Sequence, residues 1–341
     1  MMNREKPGYE LISIYRSELM GFAILLIMFC HLDTAQTHNG IEVSALARIL
    51  HTFTVGVDIF MFLSGFGLYY SYSKRKPTYF SFLKARLSRV LPLYCEIAGI
   101  TYLIYDLLIN RLSFWSFLKD FSFLSWLLYG TTRYWFVLAI CGFYCLFPLL
   151  YRFIHGGKYG FAKMLVFSLL WWVVIGYGSV RFTLVSMFKM PLDRLPIFMF
   201  GIYCGKLSKE KNKLSCAALS FFALFGYLMF FLMKTSALRS LSFVLYYPVR
   251  AFLGLSIITT ILAILEILRG QATGAFRVIT ASLKWLGGLT LECYLFHQSY
   301  MILCEFPYQL PLYLLVAVIL PVASAALVFW IRSYCRKEKH S

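Results

Sequence analysis

Leu19-Met20-Gly21-Phe22-Ala23-Ile24-Leu25-Leu26-Ile27-Met28-Phe29-Cys30 carries no charge and ends on a titratable residue, His31. With its flanks the apolar stretch runs from about Ile14 to Leu32, close to the ~20 residues a helix needs to cross a bilayer core. Runs of this kind recur from one end of the chain to the other. Of 341 residues, 60% are hydrophobic and 14% charged, against about 45–50% and about 25% in soluble domains. The expected fold class is all-α: a polytopic integral membrane protein with about ten transmembrane helices. A single transmembrane domain is expected over residues 1–341. Its spans fall near 14–33, 46–72, 90–110, 132–151, 164–181, 193–206, 214–233, 241–265, 285–304 and 312–331. The first is not read as a cleavable signal. Met1 to Ser13 mixes acids with bases, the apolar stretch exceeds the roughly 7–15 residues of a signal core, and no small-x-small site follows.

The formal charge of +18 would suggest nucleic acid in a soluble chain. In a membrane chain it is read through the positive-inside rule, and no nucleic-acid partner is expected. With the amino terminus in the cytoplasm, the inside segments hold 23 of the 33 Lys and Arg residues and the outside segments hold 10. Those inside include Arg4 and Lys6, the group from Lys74 to Arg89, Lys158, Lys206 to Lys213, and Arg332 to Lys339. Both termini are therefore expected in the cytoplasm. The longest polar loops, near 73–89 and 266–284, are too short for a globular domain, and no soluble domain is expected at either end. Of nine cysteines, Cys30, Cys95, Cys141, Cys145, Cys204, Cys216, Cys293 and Cys304 lie in apolar segments, where Cys behaves as a small hydrophobe. Cys335 is in the tail. Cys141 and Cys145 share a helix face, but no His or second Cys pair completes a zinc pattern, so no metal is expected.

Ionisable residues inside spans mark candidate chemistry, because desolvation makes them rare. By that measure His31 is a candidate, although an imidazole snorkelling to the interface beside Asp33 and Thr34 fits its position as well. The second span carries His51 and Asp58, seven residues apart and so on one face of an unbroken helix. Asp58 falls near mid-membrane and needs either a partner, as a structural link to a neighbouring helix, or a water-filled cavity. Arg86 and Arg89 form one cationic face at i,i+3. Paired guanidinium groups suit phosphate through bidentate bonds, while topogenic charge explains most loop bases. Trp135 fits an interfacial aromatic belt or an acceptor groove. Arg194 precedes Leu195-Pro196 at the expected outer end of the short sixth span. That span carries Gly201 and Gly205, a small-xxx-small face for close helix approach. In the ninth span Glu292 lies deep and is expected to be paired, while His297, five residues on and so on a different face, is shallower and fits placement at the interface as well. Gly201 to Lys206 lacks the spacing and the Ser/Thr of a phosphate-binding P-loop. Ser64 lacks the preceding glycine of a nucleophile elbow.

Six blocks in order resemble the acyltransferase 3 family of ten-helix membrane acyltransferases. They are Arg16-Ser17-Glu18-Leu19-Met20-Gly21-Phe22-Ala23-Ile24-Leu25 with His31; Gly56-Val57-Asp58-Ile59-Phe60-Met61-Phe62-Leu63-Ser64-Gly65-Phe66; Arg86-Leu87-Ser88-Arg89-Val90-Leu91-Pro92-Leu93-Tyr94; Trp135-Phe136 with Phe143-Tyr144-Cys145-Leu146-Phe147-Pro148; Arg194-Leu195-Pro196-Ile197-Phe198-Met199-Phe200-Gly201; and Leu291-Glu292-Cys293-Tyr294-Leu295-Phe296-His297. The resemblance implies an acyl-CoA donor from the cytoplasm, taken as acetyl-CoA, and an acceptor hydroxyl on a cell-envelope glycan outside. No permanently bound cofactor is expected. The implied setting is a bacterial plasma membrane crossed several times, with acyl-CoA, the glycan acceptor and the lipid bilayer as partners. The sequence sets no oligomeric state. His31 matches the family's catalytic histidine, and Arg86 with Arg89 its paired arginines. One departure is Met20, where many members carry Arg eleven residues before the histidine; Arg16 lies one turn earlier. His31 is expected to act as base or acyl carrier, with Asp58 or Glu292 orienting its ring, and Trp135 and Arg194 are expected at the substrate. The rival expectation is a transporter that moves a glycan or lipid-linked sugar on the same scaffold.

Overall fold

The computed structural model describes residues 9–130, 133–157, 159–211, 216–234, 242–269, 274–304 and 307–338. Arg4, Lys6, Lys158, Lys213 and Lys339 lie outside the described residues, as do the first residues of the spans expected from 132, 214 and 241. The side chains of Cys216, Cys335, Arg336 and Lys337 also lie outside the description. Every described element is a helix, and no strand occurs among the described residues. Lipid offers backbone amides no partner, so a chain this apolar satisfies them along its own helices.

The helices run in order as α1 (Glu10–Ile14), α2 (Arg16–Phe29), α3 (Leu32–His38), α4 (Ala45–His51), α5 (Gly56–Arg75) and α6 (Tyr79–Tyr102). There follow α7 (Phe114–Phe121), α8 (Leu124–Tyr129), α9 (Trp135–His155), α10 (Gly160–Arg181), α11 (Thr183–Leu192) and α12 (Leu195–Lys209). The last are α13 (Cys216–Lys234), α14 (Ser242–Arg269), α15 (Gly274–Gly288), α16 (Thr290–Leu303), α17 (Leu310–Leu314) and α18 (Leu320–Glu338). A 3₁₀ turn, Thr52–Val55, joins α4 to α5, and π turns at Leu103–Ile109 and Leu315–Ile319 extend α6 and join α17 to α18.

Among the described residues, seven stretches are long and apolar enough to cross a membrane: Arg16–His38, Ala45–Arg75, Tyr79–Ile109, Trp135–His155, Gly160–Arg181, Leu245–Arg269 and Leu310–Tyr334. Each coincides with an expected span. The other three expected spans coincide with α12, α13 and α16. Of these, α12 and α16 have only 15 and 14 residues, and the apolar part described in α13 is Leu224–Met233. Four helices occupy stretches read from the sequence as connections: α7, α8, α11 and α15. The loop expected at 266–284 is mostly α15, and α6 begins inside the loop expected at 73–89. Of these, α7 and α15 are amphipathic, so they form helices without the long apolar run that marks a span. In α7, Phe114 and Trp115 are exposed, as in a helix lying along an interface.

The chain divides into two compact units. The first comprises Met1–Leu19, Val57–Lys84 and Ala139–Ala281. Within it α5 and α12 approach closely through reciprocal glycines. A Cβ on Gly65 would stand 2.2 Å from the Phe198 carbonyl oxygen, and one on Gly201 would stand 2.0 Å from that of Phe62. One turn on, a Cβ on Gly205 would meet the Tyr69 side chain at 2.8 Å. The small-residue face expected at Gly201 and Gly205 is thus an α5–α12 contact. Rings of Tyr72, Phe82, Phe147 and Tyr151 pack together in the same unit.

The second unit comprises Met20–Gly56, Ala85–Leu138 and Ser282–Ser341. A buried cluster of Leu32, Ala35, Ala47, Met301, Tyr313 and Ala317 binds α3, α4, α16 and the α17–α18 segment into one support. The Tyr313 hydroxyl donates to the Met28 carbonyl near the end of α2. A polar chain threads the unit as well. Thr101 donates to Ser299 at 2.7 Å, and the Tyr134 and Ser299 hydroxyls lie 2.8 Å apart.

Candidate functional site

His31 stands at the joint between α2 and α3. The amide of Cys30 still bonds to Leu26 at 3.1 Å, and there the α2 ladder stops. A helix end leaves its last carbonyls without backbone partners. Side chains take over here: His31 Nδ1 and Cys30 Sγ both lie 3.1 Å from the Ile27 carbonyl oxygen, and Sγ lies 3.1 Å from Nδ1. A carbonyl only accepts, so Nδ1 carries the hydrogen and Nε2 holds a lone pair. The group that orients the ring is therefore a main-chain carbonyl four residues back.

A second imidazole completes the site. His297 of α16 is 0% exposed, and its Nδ1 donates to the Ala317 carbonyl at 2.7 Å. Ala317 lies in the π turn Leu315–Ile319, a helix variant common at functional positions. The same logic fixes the tautomer, so His297 Nε2 is also a lone pair, and no residue among those described bonds to it. The two rings stand 5.3 Å apart between centroids, tilted by 57°. Nearby, His51 Nδ1 and Asp33 Oδ2 lie 2.5 Å apart. The sequence register placed His51 on one face with Asp58, but the 3₁₀ turn Thr52–Val55 breaks that phase, since it turns every three residues rather than every 3.6.

The other expected site residues are distributed as follows. Glu292 is half-buried in the first turn of α16, where a helix dipole favours a carboxylate. Arg86 is half-buried and Arg89 exposed on the unbroken α6, three residues apart. Trp135 opens α9, half-buried, edge-on to Phe136, whose ring lies 5.2 Å from Tyr294.

Asp58 and Arg194 belong to a buried ion network in the first unit. Arg250 Nε lies 2.9 Å from Asp58 Oδ2, Arg250 Nη2 lies 2.9 Å from Asp193 Oδ2, and Arg194 Nη1 lies 3.0 Å from Asp193 Oδ1. Trp172 Nε1 donates to the Asp193 carbonyl at 3.0 Å. Two acids and two bases balance, which a buried set of charges requires. Arg16 is engaged in the same unit: its Nε donates to the Leu63 carbonyl at 3.2 Å, and its guanidinium lies against Gly67.

Sequence reasoning weighed His297 as interfacial and did not single out Arg250, Asp193 or Asp106. The carboxyl of Asp106 is 0% exposed inside the π turn Leu103–Ile109. A buried acid in an expected span was a readable signal for it. No side-chain pattern announced that Ile27 and Ala317 would offer carbonyls to histidines.

Two imidazoles, each held by a backbone carbonyl, lie side by side in a helical, multi-pass membrane protein. A family model described as an acyltransferase domain matches residues 19–332, nearly the whole chain. The chain belongs to the acyltransferase 3 family and is a membrane acyltransferase. No curated protein and no solved structure matches it.

Proposed function

We propose that this acyltransferase moves an acetyl group from cytoplasmic acetyl-CoA to a hydroxyl of an extracytoplasmic envelope glycan, in a bacterial plasma membrane, with His31 as general base. The observation that carries the reading is the fixed tautomer of His31, which leaves Nε2 free to take a proton in a chain of acyltransferase descent. The acceptor oxygen bonds to the thioester carbonyl carbon while its proton passes to Nε2. The C–S bond then breaks, and the proton leaves on the CoA sulfur. A positioned base contributes about 10²–10⁴-fold to such a step, and imidazole titrates near working pH. Arg86 and Arg89 hold the CoA phosphates, since adjacent guanidinium groups match phosphate geometry. Trp135 lines the acceptor side.

The test uses purified protein in nanodiscs with labelled acetyl-CoA and a panel of sugar acceptors. Transfer by the wild type and its loss by at least 100-fold in His31→Ala are expected. Wild-type turnover by His31→Ala overturns the base assignment. Acceptor movement without thioester loss overturns the enzymatic reading in favour of transport.

A further inference from the structure

The first unit holds a cavity that the reaction above does not use. It comprises about 640 Å³ of open space, mouth included, between α1, α5, α10, α12 and α14. Phe62 and Phe200 close one end and are buried. At the other end Phe161 is 44% exposed, with its ring 5.1 Å from that of the half-buried Tyr203. Between these ends the wall is hydrocarbon, with Leu255 and Leu262 on one face of α14. The two leucines are seven residues apart, so the cavity follows α14 for about 10 Å. The Thr259 hydroxyl is already donated to the Ser256 carbonyl at 2.9 Å, and Cys204 behaves as a small hydrophobe. The interior therefore suits a chain of methylenes and offers a sugar or a nucleotide little to bond.

The mouth lies where α10 begins at Gly160, α12 ends at Lys209 and α14 ends at Arg269. The charge bias assigns these helix ends to the cytoplasmic side. Among the walls, α5, α10 and α14 belong to stretches long enough to cross a membrane, so the surroundings of the mouth are the inner edge of a bilayer. Two bases continue the lining faces beyond it. Lys206 follows Tyr203 by three residues on α12, and Arg269 follows Leu262 by seven on α14. Each is held loosely by an acid. Lys206 Nζ lies 4.0 Å from Glu210 Oε1, and Arg269 Nη1 lies 3.5 Å from Glu266 Oε1, outside the about 2.7–2.9 Å of a close charged hydrogen bond.

We propose that this cavity binds one acyl chain of an inner-leaflet phospholipid, with the lipid phosphate at Lys206 and Arg269. An apolar cavity stays dry, so its walls lack contact partners until a hydrocarbon fills it. Basic pockets at the cytoplasmic ends of membrane helices suit phosphate headgroups, and the Tyr203 ring stands at the level where aromatic belts sit. Inorganic phosphate would meet the bases and leave the apolar depth empty. The site is independent of the acyl transfer and stands or falls without His31.

The test uses full-length protein in nanodiscs doped with phosphatidylglycerol that carries a diazirine near the end of one chain. After irradiation, labelled peptides are mapped. Label is expected to concentrate on 200–207 and 255–262, above the level on the exposed Leu169, Leu170 and Val173 of α10. Leu255→Trp fills the depth and is expected to lower that label roughly tenfold, the worth of about two lost methylene contacts. Lys206→Gln with Arg269→Gln should lower it about fivefold per base, while label from a diazirine fatty alcohol, which has no phosphate, stays unchanged. Even labelling of all lipid-facing helices overturns the proposal, and if Leu255→Trp does not fold, the wild-type map decides alone. Undiminished lipid label in the double glutamine variant overturns the phosphate placement. Stronger label from a diazirine long-chain acyl-CoA at equal concentration overturns the lipid assignment and gives the cavity to a donor chain.

Discussion

Asp58 shows how one residue type serves two readings until its partner is seen. Its carboxylate is 1% exposed, and an isolated charge at that burial is far too costly to keep. Arg250 at 2.9 Å answers the cost, with Asp193 and Arg194 closing the network. Removing one partner from such a set leaves a bare charge and costs about 3–5 kcal/mol, whereas replacing a pair with apolar groups of similar size is often neutral. Asp58→Ala is therefore expected to lower the thermal transition in detergent strongly. The double variant Asp58→Leu with Arg250→Met should recover most of that loss, because Asp193 and Arg194 still balance each other. A stable but inactive Asp58→Ala would instead place this carboxylate in the chemistry, as the sequence alone allowed. Arg250 escaped notice in the sequence because it counted as one base among the 33 Lys and Arg, and nothing local distinguishes a buried arginine from a topogenic one.

At the scale of elements, what the sequence revealed depended on whether the signal was carried by a run or by a meeting. Apolar length marked the spans, and Gly201 with Gly205 marked a close approach, because both are properties of contiguous residues. The contact itself gives a sharp test. A Cβ at Gly201 would stand 2.0 Å from the Phe62 oxygen and 2.8 Å from its carbonyl carbon, and a backbone group cannot rotate aside as a side chain can. Gly201→Ala is expected to force α5 and α12 apart and to lose the monodisperse peak in fluorescence-detected size exclusion. Gly142, whose Cβ would meet nothing within 4 Å, should tolerate the same change, and equal tolerance at both positions would dismiss the packing account. Meetings between distant segments were not legible. His31 stood out at the end of an uncharged run, but His297 gained its meaning from a ring far away in the chain and from a π-turn carbonyl. The phase of His51 was lost at Thr52-Phe53-Thr54-Val55, a 3₁₀ turn with no Gly or Pro to announce it. Amphipathic helices such as α7 and α15 were likewise invisible to a reading by length and hydropathy.

For the whole molecule the proposed reaction demands that a donor and an acceptor reach one site from opposite sides of a bilayer. The charge bias supplies the direction: 23 of 33 bases fall on one side when the amino terminus is cytoplasmic, and short loops rich in Lys and Arg stay inside. With that orientation, Arg86 and Arg89 are expected at the cytoplasmic face and the turn after His31 at the opposite one. Arg89 and Thr34 are both exposed, so each can report its side without disturbing a packed interior. In a background where Cys335 of the tail and the exposed Cys95, Cys145 and Cys304 are replaced by Ser, Arg89→Cys should react with a membrane-impermeant maleimide only in inside-out vesicles. Thr34→Cys should react only in right-side-out ones. Labelling of both from the same side would remove the transmembrane route, whatever the turnover in detergent. The chemistry gives an independent check. Arg86→Ala and Arg89→Ala should raise KM for acetyl-CoA about tenfold each, the order of a lost charged hydrogen bond, with kcat little changed. Substitution by Lys should restore only part of the affinity, because an ammonium lacks the planar fork that grips phosphate. A fall in kcat at unchanged KM would move these arginines from donor binding to the reacting centre.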